Sequence, residues 1–233
     1  MPTSPSARKL SLAVENYLKA VLQIGTRTGN EWVSTGSLAE ELSLSPGTVT
    51  SMLKTLDESK TDDFVEYKPY EGVRLTEEGR RTALLMLRRH RLIELFLVHT
   101  LDLTWDQVHE EAENMEHAVS DFLVDRIDEF LGHPEADPHG DPIPTAEGQL
   151  RGEQVEAVSL ASLVTGARFR LHRVMNQSTE FLRYLTKSGI SLGIEGEVLE
   201  ANPEAGIISC RYKDQTVVLG FANAESLLVV RVT

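Results

Sequence analysis

The chain has 233 residues, of which 41% are hydrophobic and 25% charged, and a formal net charge of −13. That much apolar material builds two or three small domains with cores and excludes a disordered polyelectrolyte, while no apolar run approaches the ~20 residues of a membrane-spanning helix. The single cysteine, Cys210, lies in an apolar, β-like stretch, so disulfide and cysteine-cluster scaffolding within the chain are excluded too. Met1 to Lys9 lacks the apolar stretch of a signal peptide, which makes the cytoplasm the expected compartment.

Residues 1–76 predict a winged helix-turn-helix DNA-binding domain. Apolar residues at 17, 18, 21, 22 and 24 give an amphipathic first helix over Glu15 to Ile24. Ser37 is the expected cap of a second helix, Leu38 to Leu42, with Glu40 completing a capping box. Ser45-Pro46 opens a third, with Ser45 as N-cap, Pro46 at the first helical position, and Val49, Leu53 and Leu56 on the buried face. The opposite face carries Gly47, Thr48, Thr50, Ser51, Lys54 and Thr55, small and polar side chains that can approach a major groove closely. Phe64–Lys68 and Gly72–Thr76 then read as a β-hairpin wing, with Lys68 and Arg74 facing phosphate. A protein-interaction module is the competing reading of such a small helical domain.

Residues 77–150 predict a helical domain followed by a proline-rich crossing. Along the helical part, apolar residues exceed what one buried stripe needs, so part of this surface is expected to meet a second copy of the chain. The same helices carry candidate metal ligands. At about 100° per residue, His109, Glu113, Glu116 and His117 fall within roughly a third of a helix circumference, while His90 and Glu94 share a face of another helix. Two such helices would form a pocket of imidazoles and carboxylates, suited to a borderline-to-hard divalent cation. Either run alone reads as a solvated i,i+4 pair. Their recurrence among apolar residues that should pack (Leu92, Ile93, Phe96, Val108, Ala112, Met115) favours metal. In the crossing from Gly132 to Pro144, where helix and sheet are not expected, His133 and His139 read as ordinary loop histidines.

Residues 151–233 contain five short strand-like runs, Phe169–Val174, Glu195–Ala201, Gly206–Tyr212, Gln215–Gly220 and Ser226–Val232, with one helix over Ser178–Leu185, a pattern of a small β-barrel. No catalytic triad, phosphate loop or dinucleotide fingerprint occurs, and no small organic substrate or membrane partner is expected. The charge is uneven: residues 1–76 hold 8 Lys/Arg against 10 Asp/Glu, residues 77–150 hold 6 against 17, and residues 151–233 hold 9 against 9. Surplus acid therefore coincides with the proposed ligands, where divalent cations would offset its repulsion of DNA.

The order of these parts resembles the diphtheria toxin repressor family of metal-dependent transcription regulators, including its manganese-sensing branch. The resemblance covers nearly the whole chain and rests on Glu15-Asn16-Tyr17-Leu18, Ser45-Pro46-Gly47-Thr48-Val49, His90-Arg91-Leu92-Ile93-Glu94, Val108-His109-Glu110-Glu111-Ala112, Glu116-His117 and the run Pro138 to Pro144. It implies a mainly α fold with a C-terminal β domain: a winged helix-turn-helix, a helical dimerisation and metal-binding domain, and an SH3-like barrel. It implies no enzyme but a homodimer that binds double-stranded operator DNA when a divalent metal is present, most often as a repressor of metal-uptake genes. Carried over by motif, the primary site comprises Asn16, Glu113, Glu116 and His117; a second uses His90, Glu94 and His109, with Gln177 and Glu180 donated by the third domain.

Two departures bear on the metal. Position 113 is Glu where iron-sensing members carry Cys, and replacing a soft thiolate by a hard carboxylate moves preference from Fe²⁺ toward Mn²⁺. Position 16 is Asn where Met or Asp is usual, and Lys19 stands where some manganese sensors have a carboxylate; Asn coordinates only through its neutral carbonyl oxygen. The alternatives are a metal-independent winged-helix regulator and a di-iron carboxylate enzyme. The second lacks the Glu-x-x-His spacing of such sites, since Glu113 and His117 are four apart.

Overall fold

The computed structural model describes residues 10–59, 63–152, 155–213 and 215–232; the N-terminal nine residues, where a signal peptide was sought, lie outside them. The chain divides into two compact units, Met1–Arg89 with Pro144–Gln149, and His90–Ile143 with Leu150–Thr233.

In the first unit, helix α1 (Leu12–Thr28) starts where the Ser11 hydroxyl accepts the Val14 N–H and stops at Gly29, whose φ of 69° terminates the helix. Helix α2 (Thr35–Glu41) is capped by Ser34, not by Ser37. Ser34 Oγ accepts the Ser37 N–H at 3.0 Å, which puts Ser37 inside the first turn. Helix α3 (Pro46–Asp57) begins with Ser45 as cap and Pro46 in the first turn, as its sequence predicts. Strands β1 (Val65–Lys68) and β2 (Gly72–Leu75) pair antiparallel with Lys68 opposite Gly72. Val33 exchanges two hydrogen bonds with Val73 (2.8 and 2.9 Å) and joins the α2 leader to this hairpin. The approach explains Gly72: at φ +119° a Cβ there would collide with the Val33 carbonyl. One apolar core unites these elements, with Leu18, Leu38, Val49, Leu53 and Val73 fully buried, together with Ala83, Leu84 and Leu87 of helix α4 (Glu77–Leu101).

The second unit takes the rest of α4, helix α5 (Val108–Glu116), helix α6 (Asp121–Phe130) and the C-terminal sheet. Leu92, Val124, Ile127 and Ile143 form one small core, and Ile93, Leu97, Val108 and Ala112 another. Six strands follow: β3 (Val158–Ser159), β4 (Arg168–Val174), β5 (Glu195–Asn202), β6 (Ile207–Tyr212), β7 (Gln215–Gly220) and β8 (Leu227–Arg231). They form one antiparallel sheet in the order β3-β8-β4-β5-β6-β7, with irregularities in β4 and β5 that bend it. Helix α7 (Thr179–Lys187) buries Phe181, Leu182 and Leu185 against the sheet, and a five-residue helix, α8 (Phe221–Glu225), links β7 to β8. β3 and α8 are too short to announce themselves in a sequence pattern. Cys210 is fully buried in this core, where burial pushes its thiol up to about 11.

Candidate metal centre and nucleic-acid interface

On α3, Ser45, Gly47, Thr48, Ser51 and Lys54 are exposed and Thr50 is half-buried. The Ser45 and Thr48 hydroxyls lie 2.9 Å apart at the cap, and the Thr50 hydroxyl donates to the Pro46 carbonyl at 2.8 Å. The wing cations are held within the protein. Arg74 Nε donates to Glu66 Oε2 at 2.7 Å, Lys68 Nζ lies 3.4 Å from Glu66 and 3.8 Å from Glu71, and both cations stand over the Trp32 ring at 4.7–5.1 Å. The Arg74 hydrogen bond, with help from Lys68, holds the Glu66 carboxyl below its usual range despite desolvation. Trp32 and Glu66, which anchor the wing cations, carry no spacing signal that would have singled them out.

Six of the predicted ligands gather in the second unit, because α4 presents His90 and Glu94 one turn apart, α5 presents His109, Glu113 and Glu116, and His117 is the C-cap of α5. His90 Nε2, His109 Nδ1 and Glu94 Oε1 are separated by 3.0, 3.2 and 3.3 Å. Donors about 2.1 Å from one ion are about 3.0–3.4 Å apart at octahedral or tetrahedral angles, so both spacing and donor type fit a divalent cation. The other face of His90 completes the argument. Its Nδ1 lies 2.7 Å from Glu116 Oε2; a carboxylate only accepts, so Nδ1 carries a proton, and Nε2 is the nitrogen that faces the cluster. Glu116 Oε1 is 3.4 Å from His117 Nε2, and Glu113, Glu116 and His117 each offer an atom within 4.8 Å of the others. Glu113 is common to that group and to one with His90 and His109. Burial favours a protonated Glu94, but the charge of His90 and the hydrogen bonds of His109 and His90 outweigh it and hold the carboxyl well below its usual range.

His139 is a departure from the sequence reading: it is fully buried. Its Nε2 lies 2.9 Å from the Trp105 carbonyl, and its ring stacks on Trp105 with an interplanar angle of 5°. Asp137 Oδ1 accepts the backbone N–H groups of His139 and Asp141 at 2.7 and 3.0 Å. Burial, then the nearby Asp141 and Glu94 carboxylates, raise the Asp137 carboxyl well above its usual range, opposed by Arg91. His133, by contrast, is an exposed loop residue.

The remaining predicted ligands stand differently. Gln177 Nε2 donates to Asp141 Oδ2 at 2.8 Å, and Glu180 is exposed and outside the three carboxylate and imidazole groups found among the described residues. In the first unit, Asn16 Oδ1 is buried with no hydrogen-bond partner among the described residues, and Lys19, three positions further along α1, is buried too.

Comparison with known proteins gives three consecutive domain matches: "Iron dependent repressor, N-terminal DNA binding domain" over residues 9–73, "Iron dependent repressor, metal binding and dimerisation domain" over 76–145, and a FeoA domain over 158–231. The chain is 29% identical over 204 residues to the diphtheria toxin repressor of Corynebacterium glutamicum, covering 84% of this chain and 86% of that one. It is 30% identical over 125 residues to the HTH-type transcriptional regulator MntR of Geobacillus kaustophilus, covering 54% and 84% respectively. A solved manganese-dependent transcriptional repressor in complex with manganese matches with a TM-score of 0.82 at 41% identity, over 94% of this chain and all of that one.

Proposed function

The chain belongs to the iron- and manganese-dependent repressor family of DNA-binding transcriptional regulators, and from that premise we propose that it is a manganese-responsive repressor of metal-uptake genes acting in the cytoplasm. The observation that carries the reading is the triad His90 Nε2, His109 Nδ1 and Glu94 Oε1 at 3.0–3.3 Å, coupled through His90 Nδ1 to Glu116. His90, Glu94 and His109 hold one divalent ion; Glu113, Glu116 and His117 hold another. A bound ion supplies positive charge and fixed ligand geometry there. The choice of metal follows from Glu113, whose hard carboxylate favours Mn²⁺ over the softer ions a thiolate would select. Asn16 is the proposed donor on α1, because a buried amide oxygen without a partner costs about 1–3 kcal/mol unless something coordinates it.

The proposed division is a DNA-binding domain over 1–76, a dimerisation and metal-binding domain over 77–150 and a barrel over 151–233. In a homodimer, Ser45, Gly47, Thr48, Thr50, Ser51 and Lys54 of each α3 meet base edges and phosphates in a major groove. Lys68 and Arg74 reach phosphate only by exchanging Glu66 and Glu71 for it, so the wing contributes less than two unpaired cations would. Gln177 and Glu180 are proposed as auxiliary donors on the third domain.

The test is a titration of metal-free protein onto its own upstream DNA at fixed salt with Mn²⁺, Fe²⁺ under anaerobic conditions, Zn²⁺ or Ca²⁺. Mn²⁺ should tighten binding by about tenfold or more, equivalent to about 1.4 kcal/mol of coupling, and a Glu113→Ala/His117→Ala variant should lose that gain. Equal binding with and without every metal would overturn the metalloregulator reading in favour of a metal-independent one.

A further inference from the structure

The proline-rich crossing brings a second face of Glu94 into play. Oε1 of Glu94 belongs to the triad with His90 and His109, whereas Oε2 points the other way, 3.8 Å from His139 Nδ1. His139 Nδ1 is in turn 3.9 Å from Asp137 Oδ1. All three side chains are at most 1% exposed. The Trp105 carbonyl can only accept, so His139 Nε2 carries a proton, which leaves Nδ1 as the ring nitrogen facing the two carboxylates. No donor among the described residues reaches that nitrogen.

Distances decide what could sit between these acceptors. At 3.8–3.9 Å they are too far apart for a direct hydrogen bond and too close for a bridging water, which at about 2.8 Å from each partner spans about 4.5 Å. Donors held about 2.2 Å from a cation at about 120° lie about 3.8 Å apart. Arg91 donates Nη1 to the Pro142 carbonyl at 2.6 Å and stays 3.7 Å from the far oxygen of Asp137, while Arg173 pairs with Asp141.

We propose that Glu94, Asp137 and His139 form a third, fully enclosed divalent-metal site, with Glu94 bridging it to the ion held by His90 and His109. One imidazole nitrogen and two carboxylates suit Mn²⁺, Fe²⁺ or Zn²⁺. Its frame is rigid: two backbone N–H groups orient Asp137, Val174 N–H donates to the His139 carbonyl at 2.9 Å, and at Gly140 (φ +88°) a Cβ would collide with the His172 carbonyl. An ion so enclosed exchanges slowly and ties the crossing to α4. The inference rests on the preceding reading only through the shared Glu94 carboxylate.

The experiment is anomalous diffraction at the manganese edge from crystals of the full-length Mn²⁺-loaded protein, with manganese counted by mass spectrometry in wild type, Asp137→Asn and His139→Gln. The expected result is an anomalous peak about 2.2 Å from His139 Nδ1, and a loss of about one equivalent per protomer in both variants. Peaks at the other two clusters with none at His139, and an unchanged count in the variants, would overturn this site and leave the regulator reading intact. A peak at His139 without peaks at the other clusters would support this site and sink that reading. Because the peak is sought in the wild type, a variant that fails to fold does not remove the test.

Discussion

Asp106 lies between α4 and α5, where burial alone would raise its carboxyl, but the Thr104 hydroxyl and Arg183 Nε, 2.8 Å from Oδ2, outweigh burial and lower it. A carboxylate depressed in the folded state contributes stability in full above its ordinary value of 3.8 and loses it as pH falls through the folded value. Asp106→Asn should therefore destabilise the fold at pH 7, by on the order of 0.5 kcal/mol after solvent screening, and make little difference near pH 2; melts at both pH values check this. Residues of this kind separate what was legible from what was not. His90, Glu94, His109, Glu113, Glu116 and His117 could be picked out because helical spacing puts ligand types on one face. His139 could not, since its environment is set by Trp105, 34 positions away, and by a loop whose turn brings Asp137 and Asp141 around it. Loop residues have no period to read, so a buried histidine and an exposed one, His133, look alike in sequence.

The starts of α1, α2 and α3 were legible to within a turn, and the starting point of α2 shows where local rules divide. Ser34 and Ser37 are both acceptable caps, and Glu40 three places after Ser37 imitates a capping box. The hydrogen bond from Ser37 N–H to Ser34 Oγ settles the choice, and the Val33–Val73 pairing fixes the chain immediately before it. Ser34→Ala should cost about 1 kcal/mol in chemical denaturation and Ser37→Ala only a few tenths, since the latter removes a hydroxyl partner but no capped amide. In the C-terminal sheet, alternation revealed β4 to β8, each long enough to show a face. The two-residue β3 is defined only by its pairing with Leu228 and Val229, a long-range event that its own residues do not encode.

At the scale of the whole molecule, the family's dimerisation region leaves Phe122, Leu123 and Phe130 of α6 exposed, with Phe130 edge-on to Phe96 at 6.0 Å. Large aromatic side chains in water on one short helix are what a second copy would cover. Phe122→Glu/Phe130→Glu should shift sedimentation from dimer to monomer and weaken operator binding by tenfold or more, while leaving the metal count unchanged. A different lesson about the whole comes from the crossing, which is fastened on both sides within its unit: Arg91 of α4 donates to the Pro142 carbonyl, and Val174 of β4 to the His139 carbonyl. Trp105 likewise donates its indole N–H to the Thr186 hydroxyl on α7 at 2.8 Å. The third domain is thus no detachable bead. A chain cut after residue 150 would lose the far wall of its own crossing, with Asp141 stripped of Arg173 and Gln177, and any change in its DNA binding would report the frayed seam as much as the missing domain.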